Sequence, residues 1–198
     1  MAQSVGFNVT GFASTIAKYG LASPNKFKVT INYKMAITGA KADSTSGTDI
    51  GIALMCESVS LAGRSIQSIM DLRYGQRREI AYNAPVYPPI NLTFLCSEDY
   101  REKDFFDRWN NSIVNSSNGF DVAYYDNYTG SMEIETLTRE GKSGGLGRKS
   151  TYKMTYHEAY PKDVTAIELS HSTQNSTAKF TVTMNYSKWT TDSIPIQQ

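Results

Sequence analysis

Residues 159–189, AYPKDVTAIELSHSTQNSTAKFTVTMNYSKW, decide the fold. They contain two runs in which apolar and polar side chains alternate, the pattern of strands with one buried face. A Tyr160-Pro161 step leads into the first run, and the polar stretch HSTQNST separates it from the second. Proline fixes φ and has no N–H to give to a ladder. Pro161 is therefore expected at a corner, ending one ladder and sending the chain to another sheet. Its expected role is architectural.

The alternation recurs upstream. In PNKFKVTINYKMAI, residues 24–37, Phe27, Val29, Ile31, Tyr33, Met35 and Ile37 share one face. Lys26, Lys28, Thr30, Asn32 and Lys34 share the other. Residues 52–63, 64–82 and 87–97 read as further strands, with Pro88 and Pro89 marking the start of the last. DVAYY, a DNYTG turn and SMEIETL predict a hairpin over 121–137. TYKMTYHEAY (151–160), VTAIELS (164–170) and KFTVTMNYSKW (179–189) complete the set.

Two segments have helical spacing instead. Phe12, Ile16 and Tyr19 form a stripe in NVTGFASTIAKYG, residues 8–20, with Thr10 as a cap and Gly20 past the end. So short a helix is marginal alone and needs a surface to rest on. The stronger helix is 98–115, where Phe105, Phe106, Trp109 and Ile113 make the apolar stripe and Ser97 the N-cap. Asp99 with Lys103 and Asp104 with Arg108 are spaced as i,i+4 ion pairs. With roughly eight strands and two helices, the expected class is mainly β (α+β). The architecture is an antiparallel β-sandwich or open barrel, with one flanking helix and a short N-terminal helix, in a single domain over 1–198.

The totals fit that class. A chain of 198 residues suffices for one well-buried domain. Twenty basic and nineteen acidic residues leave a formal net charge of +1, without the basic excess of a nucleic-acid binder. The two cysteines, Cys56 and Cys96, form no CxxC pair and are expected as reduced, buried thiols. The N-terminus lacks a charged region followed by an apolar core, and no apolar run reaches membrane-spanning length. Synthesis in the cytosol, without a membrane anchor, is expected.

Catalytic patterns fail on inspection. His157 falls on a polar strand face with Lys153 and Thr155, and His171 opens a turn; two lone histidines make no metal set. Gly141-Lys142-Ser143 has Thr136 where a phosphate loop requires glycine, and Gly144 and Gly145 follow where a helix should start. Arg73, Arg77 and Arg78, and again Arg139, Lys142, Arg148 and Lys149, are diluted by Glu79 and Glu140. Glu133 and Glu135 share a strand face, and nothing raises either pKa for acid–base work. The reading is of a protein that is not an enzyme and carries no cofactor or metal.

The C-terminal stretch resembles the signature of the tail tube proteins of contractile-tailed bacteriophages, which are related to type VI secretion tube proteins. The resemblance rests on Tyr160-Pro161, a short strand ending at Leu169-Ser170, the polar turn, and a final strand from Phe180 to Trp189. LASPNKFKVTI (21–31), with Phe27, is similar to the segment leading into that family's first strand. FFDRWNNSIV (105–114), with Trp109, is similar to its flanking helix. The loops 38–51 and 139–150 depart from the pattern. The resemblance implies hexameric rings, joined through edge strands into an inner barrel and stacked into a hollow tube. Such a tube conducts DNA at ejection and lies inside a contractile sheath in the virion tail, made in the host cytoplasm. Implied partners are further copies of the chain, the sheath protein, a baseplate hub or initiator, a tail terminator, and DNA passing without specific binding. A baseplate-proximal initiator or a tail-completion ring protein is the alternative within the same architecture. DNA must pass without sticking, so Glu133 and Glu135 are expected to face the lumen. The loop TGAKADSTSGTDIG (38–51) is too small and polar to hold its own fold. It is expected to reach the adjacent ring with Lys41, Asp43 and Asp49.

Overall fold

The computed structural model describes residues 9–33, 50–71, 75–115, 119–138, 150–172 and 176–192. In chain order these form α1 (Val9–Tyr19), β1 (Phe27–Asn32), α2 (Ile50–Leu54), β2 (Cys56–Val59), β3 (Ser65–Asp71), β4 (Arg78–Val86) and β5 (Ile90–Leu95). There follow α3 (Arg101–Ile113), β6 (Val114–Asn115), β7 (Asp121–Val122), α4 (Tyr125–Tyr128), β8 (Gly130–Leu137), β9 (Ser150–Val164), β10 (Lys179–Asn185) and β11 (Lys188–Asp192). The main sheet runs β1-β8-β9-β10-β5-β2, with β11 also paired to β9, and all its pairings are antiparallel.

Strand β9 belongs to two ladders. Up to Ala159 it pairs with β8, and along its other edge it pairs first with β11 and then, from Tyr160 to Val164, with β10. Two register shifts mark the change of ladder. His157 faces Ser131 and Ala159 faces Gly130, which leaves Glu158 extra, with φ 55. Asp163 faces Thr183 and Pro161 faces Met184, which leaves Lys162 extra. Each bulge bends the strand and moves the inward positions by one residue. Met154, Tyr156, Ala159 and Pro161 consequently all point into the core, and Val164 packs against it. Proline is tolerated here because β8 has already ended and a bulge lies next door. The corner at Pro161 is thus built within one continuous strand. The short strand expected at 164–170 is absent beyond Val164, and Leu169 is exposed.

The core is closed by α3. Phe105, Phe106 and Trp109 are fully buried against Phe94, Phe180 and Tyr33, in ring contacts of 5.0–6.4 Å. The Trp109 indole N–H donates to the Tyr128 carbonyl at 2.9 Å, so this ring also ties α3 to α4. The helix is shorter than the sequence predicts and starts from Tyr100, whose φ is 52, with no side-chain cap. Ser97 instead donates its N–H and hydroxyl to the buried Glu102 carboxylate, at 3.0 and 2.8 Å. The Asp104–Arg108 pair forms at 2.9 Å, whereas Lys103 pairs with Asp107. Sequence also predicts a 121–137 hairpin, but β7 pairs with β6 and α4 fills the turn, leaving β8 to pair with β1 and β9. Gly130 admits no side chain there: a Cβ would lie 2.2 Å from the Asn32 carbonyl oxygen.

Replacing Trp109 with Ala removes the largest core ring and one α3–α4 tie, with an expected loss of about 3–5 kcal/mol of unfolding free energy. Urea denaturation of the variant measures it.

Candidate functional site

Burying one face of β1, β8, β9 and β11 leaves the opposite face to solvent, and that face is polar throughout. Cross-strand register assembles it. Lys28 and Lys153 flank Glu135, Thr30 and Thr155 flank Glu133, and Asn32 and His157 flank Ser131. Lys188 and Thr190 continue it on β11, where the Thr190 hydroxyl lies 2.9 Å from His157 Nε2. The Lys153 ammonium sits 2.9 Å from Glu133 Oε2 and 3.9 Å from Glu135 Oε1. Those carboxylates form no bare acidic stripe, because Lys153 lies near both and Lys28 stands opposite Glu135. Such partly exposed pairs contribute on the order of 0.2–1 kcal/mol each, so their main effect is on the charge of the wall. Sequence alone places Lys153 beside His157; its position between the two glutamates needs the β8–β9 register.

The second feature is the β3–β4 arm. Ile69 stands opposite Ile80, and Ile66, Met70 and Tyr82 are likewise exposed. Among the described residues none of the arm's apolar side chains joins the core or packs against it. A lone two-stranded hairpin is marginal in water, yet the roots of this one are clamped. Buried Tyr156 accepts the Ala62 N–H on its hydroxyl oxygen at 3.1 Å, and the Tyr186 hydroxyl donates to the Pro88 carbonyl at 2.8 Å. The two rings meet edge to face at 5.0 Å, and the Arg64 guanidinium lies 5.2 Å over Trp189. Sequence reading finds the strands of the arm but misses their isolation, since alternation does not say what covers a face.

A third surface is aromatic. Phe120, Val122 and Tyr124 are exposed beside a tyrosine cluster of Tyr125, Tyr128 and Tyr160. Tyr125 donates its hydroxyl to Glu158 at 3.2 Å. Desolvation, followed by that bond to the carboxylate, pushes its phenol up to about 12.

Chemistry is poorly served elsewhere. An open cavity of about 370 Å³ beside the start of α3 is lined by Cys96, Ser97, Glu168 and Leu169 among others. Burial, and then the charge of Glu102, raises the Cys96 thiol above its ordinary value, which disfavours a nucleophilic thiolate. Desolvation pushes Cys56 up to about 12. Both cysteines are free, and both are half-buried rather than fully buried as expected. Among the described residues no three His, Cys, Asp or Glu side chains are grouped to hold a metal, and no helix is long and apolar enough to cross a membrane.

The other sequence candidates are placed as follows. Phe27 opens β1 and packs against the core, Trp109 is buried, and Trp189 on β11 is half-buried under Arg64. Lys41, Asp43 and Asp49 lie outside the described residues, as do Arg73 and residues 139–149 of the glycine-rich loop, whose last residue, Ser150, begins β9. Ile50 and Gly51, the end of the expected 38–51 loop, begin α2 instead.

A family model described as phage tail tube protein matches residues 22–192. No curated protein matches the chain by sequence. The fold is similar to a chain in the six-fold symmetrised baseplate of the anti-feeding prophage, with TM-score 0.60 and 13% identity over 89% of this chain and 98% of that one. It is also similar to a chain of the extended sheath–tube complex of an extracellular contractile injection system, PVC, with TM-score 0.59 and 16% identity over 91% and 97%. A third is a chain of the anti-feeding prophage tube-terminating cap, with TM-score 0.58 and 14% identity over 87% and 91%.

Tyr156→Phe leaves the Ala62 N–H without its acceptor. The expected cost is about 1 kcal/mol, and hydrogen exchange should show faster exchange at Ala62 with little change in the β5–β10 ladder.

Proposed function

The chain belongs to the phage tail tube protein family, and we propose that it is the tube subunit, closing into hexameric rings that stack into a hollow DNA conduit inside a contractile sheath. The observation that carries this reading is the β3–β4 arm: its apolar side chains have no cover among the described residues. A surface like that marks an interaction site. Open edges support lateral closure. Among the described residues β1 pairs only with β8 and β11 only with β9, so each offers an unpaired edge to a neighbouring copy.

In this reading the polar face of β1, β8, β9 and β11 lines the lumen. Fixed cations would hold phosphates by counterion release, and Glu133 and Glu135 offset two of the three lysines on that wall, Lys28, Lys153 and Lys188. The opposite side, carrying α3, then faces the sheath. The loop with Lys41, Asp43 and Asp49 is a further proposed ring-to-ring contact. Baseplate hub and terminator are the partners proposed for the ends of the tube.

Electron microscopy of the purified protein is expected to show long hollow tubes. Rings that never stack would make it an initiator or completion protein, and a monomer persisting at high concentration would overturn the assembly reading. The lumen assignment has its own test. Glu133→Lys with Glu135→Lys should still form tubes but retain added double-stranded DNA at low salt, released as salt rises. Tubes whose DNA retention is unchanged would place that face elsewhere.

A further inference from the structure

Two surfaces of this chain are each incomplete, and they complement one another. The first is the aromatic patch. Phe120, Val122 and Tyr124 are 70%, 68% and 84% exposed. Their backbone is nevertheless fixed, because Phe120 N–H donates to Asn115 at 3.0 Å and Ala123 N–H to Ile113 at 2.9 Å. Phe120 is also held at φ 64, a conformation that a bulky side chain rarely adopts. Three exposed carboxylates border the patch: Asp121, Asp126 and Glu158. Among the described residues none of the three has an ion pair.

The second surface is the arm. Ile69, Ile80 and Tyr82 lie on one of its faces by register, and Arg78 lies on that face too, next to Arg77 at the end of the hairpin. Neither arginine has an ion pair among the described residues. Arg77 and Arg78 beside exposed aliphatic side chains match Asp121, Asp126 and Glu158 beside exposed aromatic rings; within the chain Asp71 stands opposite Arg78, and Glu158 accepts the Tyr125 hydroxyl. Within one chain the two surfaces do not cover each other, since Tyr82 and Tyr124 are both largely exposed. The clamps at Ala62 and Pro88 hold the arm at its roots.

We propose that the arm of one copy docks on the aromatic patch of a second copy, with Arg77 and Arg78 meeting Asp121, Asp126 and Glu158. Ile69, Ile80 and Tyr82 then cover Phe120, Val122 and Tyr124. Arm and patch are different surfaces, so the contact is heterologous and repeats from copy to copy, as a growing assembly requires. It rests on the reading that the protein self-assembles, and it names the receptor for the arm.

Charge exchange tests it. Arg77→Glu with Arg78→Glu, and separately Asp121→Lys with Asp126→Lys, should each cut the pelletable assembly at least tenfold while melting like the wild type. The fourfold variant carrying both exchanges should assemble again, and so should a mixture of the two double variants. Should the lysine pair disturb folding, Tyr124→Ser probes the same patch without a charge change and is expected to weaken assembly. Either double variant assembling like wild type, or a fourfold variant no better than its parents, overturns the inference. Patch variants that assemble normally but no longer bind another tail protein would assign the patch to that protein and overturn it as well. A wild-type chain that remains monomeric removes the assembly reading itself, a result distinct from these.

Discussion

The double bulge in β9 is the constraint on which the other elements depend. A strand with one buried face must present every second side chain inward, and a strand that bends through nearly a whole sheet cannot keep that count without slipping. Extruding Glu158 and Lys162 resets the count twice, so that Met154, Tyr156, Ala159 and Pro161 all reach one core. One strand thereby serves β8 and β11 at one end and β10 at the other. The two ladders share a single interior instead of forming two thin ones.

That shared interior sets the order of the layers. Phe105, Phe106 and Trp109 of α3 fill it from one side, so the polar face of β1, β8, β9 and β11 remains on the other. Tyr156 and Tyr186, both close to the bend, use their rings for packing and their hydroxyls to hold the two roots of the β3–β4 arm. Their dual chemistry lets a core contact and an external projection be fixed by the same side chains. The arm can therefore be exposed along its length and still have a defined origin.

Functionally, the features form surfaces rather than a pocket. Glu133 and Glu135 of the charged wall are paired with Lys153, the thiols are suppressed by burial, and large uncovered apolar groups lie on α1, on the arm, on the 120–124 segment and at Leu54 and Leu169. Exposed apolar area of this kind is characteristic of interaction sites. The family assignment over residues 22–192 agrees with this distribution.

The sequence alone determined the elements whose signal is local. Alternation located β1, β5 and β10, the Phe105–Trp109 stripe located α3, and Gly20, at φ 72, ended α1 as its spacing required. The ordered motifs around Tyr160-Pro161, Trp109 and Phe27 were enough for the family. Only the tertiary structure decided what depends on partners distant in the chain. A period of two does not survive a bulge, so β9 read as two strands with a break at Pro161 where there is one. Register brought Lys153 between Glu133 and Glu135, a pairing invisible to a reading of one strand at a time. Most of all, Ile69 and Ile80 look like core residues by type and spacing. Their exposure follows from the absence, among the described residues, of a packing layer over the arm, and a hydrophobic side chain carries no record of which surface will cover it.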